Sequence, residues 1–192
     1  MPIEVGVVRS ESCIIMEDII SPNFQPPERD FLDFTSDEFF MRQALHQAER
    51  AFAKEEVPVG AVIVREGKII ARAFNQVETL KDATAHAEML ALTQAEGVVD
   101  DWRLTDCDLY VTKEPCVMCA GAIMHCRLRR VIFGCSDPKS GAAGGGFINL
   151  LQHDNLNHRS EVTPGVLAEP SRMLLKEFFG ERRKAAATLR SE

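Results

Sequence analysis

The chain has 192 residues, 45% apolar and 27% charged, a composition that fits one globular domain with a full hydrophobic core. No apolar run approaches the roughly 18 residues of a membrane span, and the N-terminus lacks the basic segment and continuous apolar run of a secretory signal, so a cytoplasmic protein with no membrane partner is expected. The formal charge of -7 argues against a global attraction for polyanions, yet residues 1–38 hold nine acidic and two basic side chains while residues 116–192 hold eleven Lys or Arg against seven Asp or Glu, which leaves room for a local basic surface in the C-terminal half.

Residues 1–34 combine charge with Pro22, Pro26 and Pro27, show no sustained period, and read as a flexible or docked acidic extension. The core domain is expected over residues 35–187, followed by a short tail, 188–192. Thr35 and Glu38 have capping-box spacing and open an amphipathic helix to about Lys54, with Phe40, Ala44, Ala48, Ala51 and Phe52 on one face. Two apolar stretches, 60–65 and 68–74, flank Glu66-Gly67 and predict a β-hairpin. A helix is expected over 84–96, a strand over 109–112, a helix opened by Pro115 and running to about His125, and a buried strand over 131–133. Residues 141–146 form a glycine-rich loop, and a C-terminal helix covers about 171–187 with basic residues at its end. Interleaved strands and helices imply an α/β layer structure with helices covering a sheet.

Six cysteines in a chain without a secretion signal point to metal or catalysis rather than a disulfide framework. Cys116 and Cys119 are three residues apart, so a helix puts both sulfurs on one face, and its N-terminus favours the thiolate forms that zinc requires. His86 supplies a third ligand, and three protein ligands leave a fourth tetrahedral position open, as catalytic zinc sites do. Glu88, two residues from His86, is a candidate general base that also protonates a ring nitrogen and the leaving amine. Cys107, Cys126 and Cys135 read as buried small hydrophobes. His125 and Cys126 lie at the far end of the helix that Cys116 begins, too distant at about 1.5 Å per residue to complete the site. The glycine-rich loop lacks the Lys and Ser/Thr of a P-loop and reads as a tight turn. Arg127, Arg129 and Arg130 form either a solvated face or an RNA contact.

The segments 56–62, 84–88 and 109–122, then Asp137, Lys139, residues 141–144, Asn157-His158-Arg159 and Phe178-Phe179, resemble the bacterial tRNA adenosine deaminases. They contain H-x-E followed by P-C-x-x-C, the signature of the zinc nucleobase deaminases. The resemblance runs from about Asp37 to Arg183. It implies a three-layer α/β/α cytidine-deaminase-like fold with a five-stranded mixed sheet, and a homodimer with one Zn2+ per subunit. It also implies hydrolytic conversion of adenosine to inosine at the first anticodon position of an arginine tRNA. By position, Asn75 would meet the base edge and Val59 would line the pocket with its backbone. Asp137, Lys139, His153, Asn157 and Arg159 would contact the anticodon stem-loop, with Phe179 and Arg182 in the helix beside it. The chain departs from the family at the acidic extension, at Lys113, where an apolar residue is frequent, and at Gly145-Gly146, which are expected to loosen the loop. A small-molecule deaminase for guanine, cytosine or a pterin-like ring would use the same zinc chemistry, with Asn157-His158-Arg159 and the basic C-terminal helix favouring RNA. A non-catalytic zinc-stabilised RNA-binding module would have no use for Glu88 at an open coordination position.

Overall fold

A computed structural model describes residues 33–189. Apart from Asp33 and Phe34, the acidic extension lies outside the described residues, as does the end of the tail beyond 189. Helix α1 (Asp37–Ala53) starts one residue later than its expected cap. Ser36 is the N-cap and its side chain accepts from the Phe39 amide, while the Thr35 hydroxyl is diverted to Asp33. The capping box with Glu38 is therefore absent. The hairpin forms as read, β1 (Gly60–Arg65) and β2 (Lys68–Phe74), because Glu66 and Gly67 both adopt positive φ, the requirement of a tight turn that matches strand twist.

A short helix α2 (Val77–Leu80) precedes α3 (Ala87–Val99). α3 begins three residues later than expected because the Thr84 amide and hydroxyl both bond Asp82, holding that stretch as a turn. Then come β3 (Cys107–Lys113), α4 (Val117–His125), β4 (Arg130–Cys135), β5 (Glu161–Pro164) and α5 (Ala168–Leu189). Pro115 does not occupy the first turn of α4. Cys116 is the N-cap, and the Pro115 carbonyl accepts from the Ala142 amide. The expected tail at 188–189 is the last part of α5.

The five strands form one mixed sheet in the order β2-β1-β3-β4-β5, antiparallel across β2, β1 and β3 and parallel across β3, β4 and β5. Alternation along the strands divides the core in two. Ala61, Ile63, Leu109, Val111, Val131 and Phe133 pack with Ala87, Ala91, Ala95, Ala120 and Ile123 of α3 and α4. Val62, Val64, Tyr110 and Ile132 pack on the other face with Phe40, Met41 and Ala44 of α1. Strands covered on both faces read as continuous apolar runs, which is why β1, β3 and β4 were easily seen. Gly60 lets α1 lie directly on the sheet, since a Cβ there would come within 2.1 Å of the Ala44 carbonyl oxygen.

At the N-terminal ends of β3 and β4, Arg129 makes two bonds to Asp108, and Arg130 pairs with Asp37, Asp108 and Glu161. Tyr110 also donates to Asp37. Arg129 and Arg130 thus tie α1, β3, β4 and β5 together at the end of the sheet away from Lys113 and Cys116. Arg130 is a half-buried framework ion pair, while Arg129, also paired, keeps 54% of its side chain exposed. Arg127 stacks on Trp102 together with Arg103.

Candidate active site

Two helix N-termini meet beyond the C-terminal end of β3. His86 is the N-cap of α3 and Cys116 the N-cap of α4, both extended, and Cys119 sits in the first turn of α4. His86 Nδ1 lies 3.7 Å from the Cys116 sulfur and 3.5 Å from that of Cys119, and the sulfurs are 3.7 Å apart. Zinc bonds of about 2.3 Å to sulfur and 2.0–2.1 Å to nitrogen at tetrahedral angles require edges of about 3.8 Å and 3.6 Å, so this donor set fits that ion. Among the described residues it is the one group of three or more His, Cys, Asp or Glu found close enough to share a metal. The hydrogen bond to Cys119 pulls the Cys116 thiol down to about 3, against the opposing effect of burial and with help from His86. Its shared proton with Cys116, then burial, hold the Cys119 thiol up. Helix N-termini add to the preference for negative sulfur here. Cys107, Cys126 and Cys135 are buried, and burial raises all three thiols, as befits inert packing residues.

A cavity of about 330 Å³ opens beside the trio, lined by His86, Glu88 and Cys116 and, on its other walls, by Val57, Val59, Asn75, Val77 and Phe179. Glu88 is 4% exposed, and burial raises its carboxyl above the usual carboxylate range. A carboxyl whose charged form is disfavoured by burial is better suited to accept a proton and hand it on than an exposed carboxylate. Asn75 is buried, and its Nδ2 donates to Glu56 Oε2 at 3.1 Å. That bond orients the amide and leaves Oδ1 available to the cavity. Val59 lines the wall as expected, but its carbonyl already accepts from the Asn75 amide and its own amide donates to Val57, so it contributes mainly an apolar surface.

Two buried carboxylates that sequence reasoning passed over shape the walls. Glu56 accepts from the amides of Glu78 and Thr79 as well as from Asn75. Burial works to raise its carboxyl, but the bonds from Thr79, Glu78 and Asn75 outweigh it and hold the group below its usual value. Glu114 accepts from the amides of Asp137, Ala143, Gly145 and Gly146. The glycine-rich loop is therefore wrapped around an anion supplied by the chain itself, which explains why it holds no P-loop residues. Gly145 and Gly146 are tied rather than loosened, and Gly141 is needed because a Cβ there would meet the Glu114 carboxylate at 2.3 Å.

Asp137 does not line the cavity itself but bonds two residues that do, Lys113 and Ser140. It accepts from Lys113 and from the Ser140 hydroxyl at one oxygen, and from the Lys139 and Ser140 amides at the other. Phe179 reaches the cavity and is 44% exposed at its edge. Lys139, His153, Asn157, Arg159 and Arg182 do not line it. His153 Nδ1 accepts from the Asn155 amide, Arg159 pairs with Asp154, and Arg182 donates to the Glu55 carbonyl while lying over the Phe178 ring.

A mixed sheet between helical layers, with a His-Cys-Cys trio at two helix N-termini and an adjoining buried carboxyl, defines a deaminase of the cytidine-deaminase-like class. Consistent with this, the MafB19-like deaminase family matches residues 35–183. The tRNA-specific adenosine deaminase of Bacillus subtilis (strain 168) is 49% identical over 150 residues, which are 78% of this chain and 92% of that protein. A solved structure from work on A-to-I editing by tRNA:A34 deaminases at the wobble position of transfer RNA superposes with a TM-score of 0.68 at 40% identity, covering 71% of this chain and 98% of that one. A guanine deaminase structure from Bacillus subtilis reaches a TM-score of 0.51 at 41% identity, over 53% of this chain and 65% of its own. The chain belongs to the tRNA-specific adenosine deaminase family. Among the described residues, no helix is long and apolar enough to cross a membrane.

Proposed function

We propose that this protein hydrolytically deaminates adenosine to inosine at the wobble position of a tRNA anticodon, with an arginine tRNA as substrate. The observation that carries the reading is the buried Glu88 beside the His86-Cys116-Cys119 trio, in a cavity that Asn75 also lines. Because the bacterial relative matches over nearly its full length, the site comes with the surrounding tRNA-deaminase scaffold.

His86, Cys116 and Cys119 would hold one zinc ion per subunit, which when bound supplies Lewis-acid activation of water. Glu88 takes one proton from the attacking water and delivers it to the purine ring nitrogen N1, then takes the second proton from the new C6 hydroxyl and gives it to the amine as the C6–N bond breaks and the C6 carbonyl forms. Leaving as ammonia spares the reaction an amide-ion leaving group. Asn75 both donates and accepts in one plane, which suits the hydrogen-bonding edge of a flipped adenine. Val57, Val59, Val77 and Phe179 provide apolar walls against the base and exclude water.

Asp137, Lys139, His153, Asn157, Arg159 and Arg182 lie outside the cavity lining and would meet the rest of the anticodon stem-loop. Arg159 pairs with Asp154, whose side chain is 88% exposed, so an RNA phosphate would replace that partner at little cost. We place the enzyme in the cytoplasm as a homodimer. Guanine deamination is the second reading, favoured by the likeness to guanine deaminases, but the guanine deaminase of Nitrosomonas europaea that covers 75% of this chain is 26% identical to it, against 49% for the tRNA-specific adenosine deaminase of Bacillus subtilis. Incubation with an anticodon stem-loop bearing adenosine at the wobble position, followed by nucleoside analysis, tests the proposal. Inosine formation supports it, and an unchanged stem-loop with metal-loaded enzyme overturns it.

A further inference from the structure

Helix α5 turns two different faces to its surroundings. Ser171 and Phe178 are buried and Leu175 packs against the core, while Arg182 is committed to the same side, lying over the Phe178 ring and donating to the Glu55 carbonyl. Gly180 faces the other way. It lies inside the helix, where a glycine weakens the fold, yet its φ is not positive and a Cβ there would meet nothing within 4 Å. Neither packing nor backbone geometry calls for glycine at this position. At about 3.6 residues per turn, its neighbours on the helix surface are Lys176, Glu177, Arg183 and Lys184. The three cationic side chains are exposed and have no hydrogen-bond or ion-pair partner among the described residues. Lys176 and Arg183 stand on the side of Gly180 toward Phe179, which lines the cavity, and Glu177 stands on the far side.

We propose that Lys176, Gly180, Arg183 and Lys184 form a phosphate-binding face on α5 that holds one phosphodiester of the RNA strand running past Phe179 to the flipped adenosine. This rests on the RNA-deaminase reading of the adjoining cavity. With a formal charge of -7 the chain offers a polyanion no general attraction, so the contact has to come from a local set of uncommitted cations. Three side chains that only donate, converging from different directions, match the spread of phosphate oxygens rather than the flat edge of one base. Glycine gives them a common target. With no side chain in the middle of the ring the phosphate settles against the helix, whereas any Cβ substituent would hold the strand off.

The test is binding of a wobble-adenosine anticodon stem-loop by fluorescence anisotropy over a salt series, in a Glu88→Ala background so that no turnover occurs. Replacing Lys176, Arg183 and Lys184 together by Gln should weaken Kd roughly 10-fold or more, the scale of a charge-assisted hydrogen bond. It should also flatten the slope of log Kd against log salt by about 0.7, the value for one phosphate on a single strand. Lys68→Gln, which removes an exposed cation at the end of the sheet away from Lys113, should change neither. Gly180→Leu separates the site from stability: a better helix former should raise Tm by roughly 2–4 °C while Kd weakens roughly 10-fold. A neutral methylphosphonate placed in turn at each phosphate around the adenosine identifies the contact, since one position should weaken the parent protein and leave the triple variant unaffected. Unchanged Kd and salt slope in the triple variant would overturn the proposal. So would an equal loss in Lys68→Gln, a Gly180→Leu protein that binds as tightly as its parent, or the absence of any such methylphosphonate position. Inosine formation with Glu88 intact judges the functional reading separately: inosine without these binding losses sinks the phosphate face alone, and neither inosine nor stem-loop binding sinks both.

Discussion

Glu114 offers a direct measure of how the cavity rim is held. Its Oε1 accepts from the amides of Ala143, Gly145 and Gly146 at 3.0, 2.9 and 3.0 Å, and its Oε2 accepts from the Asp137 amide at 2.9 Å. Glu114→Ala removes all four acceptors. The buried Ala143 amide would lose its partner outright, at about 1–3 kcal/mol, while the other three amides are partly reached by water and cost less. With the void left by the side chain, the total comes to about 3–5 kcal/mol. At about 2–4 °C per kcal/mol for a chain of this size, Tm should fall by roughly 6–20 °C. Glu114→Gln separates charge from shape: its amide oxygen can keep the three-amide site while its NH2 group faces the Asp137 N–H, so about 1–2 kcal/mol should be lost. Thermal and urea unfolding of both variants gives the magnitudes. A Glu114→Ala protein within 1 kcal/mol of wild type, or a Gln variant as damaged as the Ala one, would refute the claim that this carboxylate organises residues 137–146.

Three further outcomes follow from the site. Glu88→Ala should retain zinc and RNA binding while turnover falls by roughly 10² to 10⁴ or more; near-normal turnover would remove Glu88 from the proton path. Asn75→Ala should lower kcat/KM by roughly 5-fold to 150-fold, equivalent to about 1–3 kcal/mol for an unpaired polar base edge, and Glu56→Gln should cause a smaller loss by freeing the Asn75 amide, with zinc content unchanged in both. For Asp137, burial alone would raise the carboxyl, but Lys113, Ser140 and the Lys139 amide outweigh it and hold it well below the usual range. The folded-state value is depressed, so the stabilisation is fully present above the unfolded carboxylate value of about 3.9 and is lost as pH falls below it. Asp137→Asn should accordingly lose less Tm than wild type between about pH 5 and pH 3, and parallel curves would contradict the sign.

The chemistry was legible because it is local. His86, Glu88, Cys116 and Cys119 lie in two short segments, and each segment opens a helix in the structure. The hairpin was legible because Glu66-Gly67 must turn between two apolar runs. Strand β5 was not, since Glu161–Pro164 is four residues long, half-exposed and ends in proline, and it exists only through parallel pairing with β4. Glu56 and Glu114 looked like ordinary charged residues. Their burial depends on amides 22 to 32 residues away folding over them, and no periodicity records that. Arg129 and Arg130 show what a cationic run does not record: Arg129 stays 54% exposed while bonding Asp108, whereas Arg130 is half-buried among acidic partners from α1, β3 and β5.

The central claim is that this cavity acts on adenosine within RNA rather than on a free base. The deciding measurement is kcat/KM for one preparation of zinc-loaded enzyme on a wobble-adenosine anticodon stem-loop, on free guanine and on free cytosine. The account predicts inosine from the stem-loop, with kcat/KM at least 100-fold, or about 2.7 kcal/mol, above either free base. Faster turnover of guanine or cytosine than of the stem-loop would contradict it.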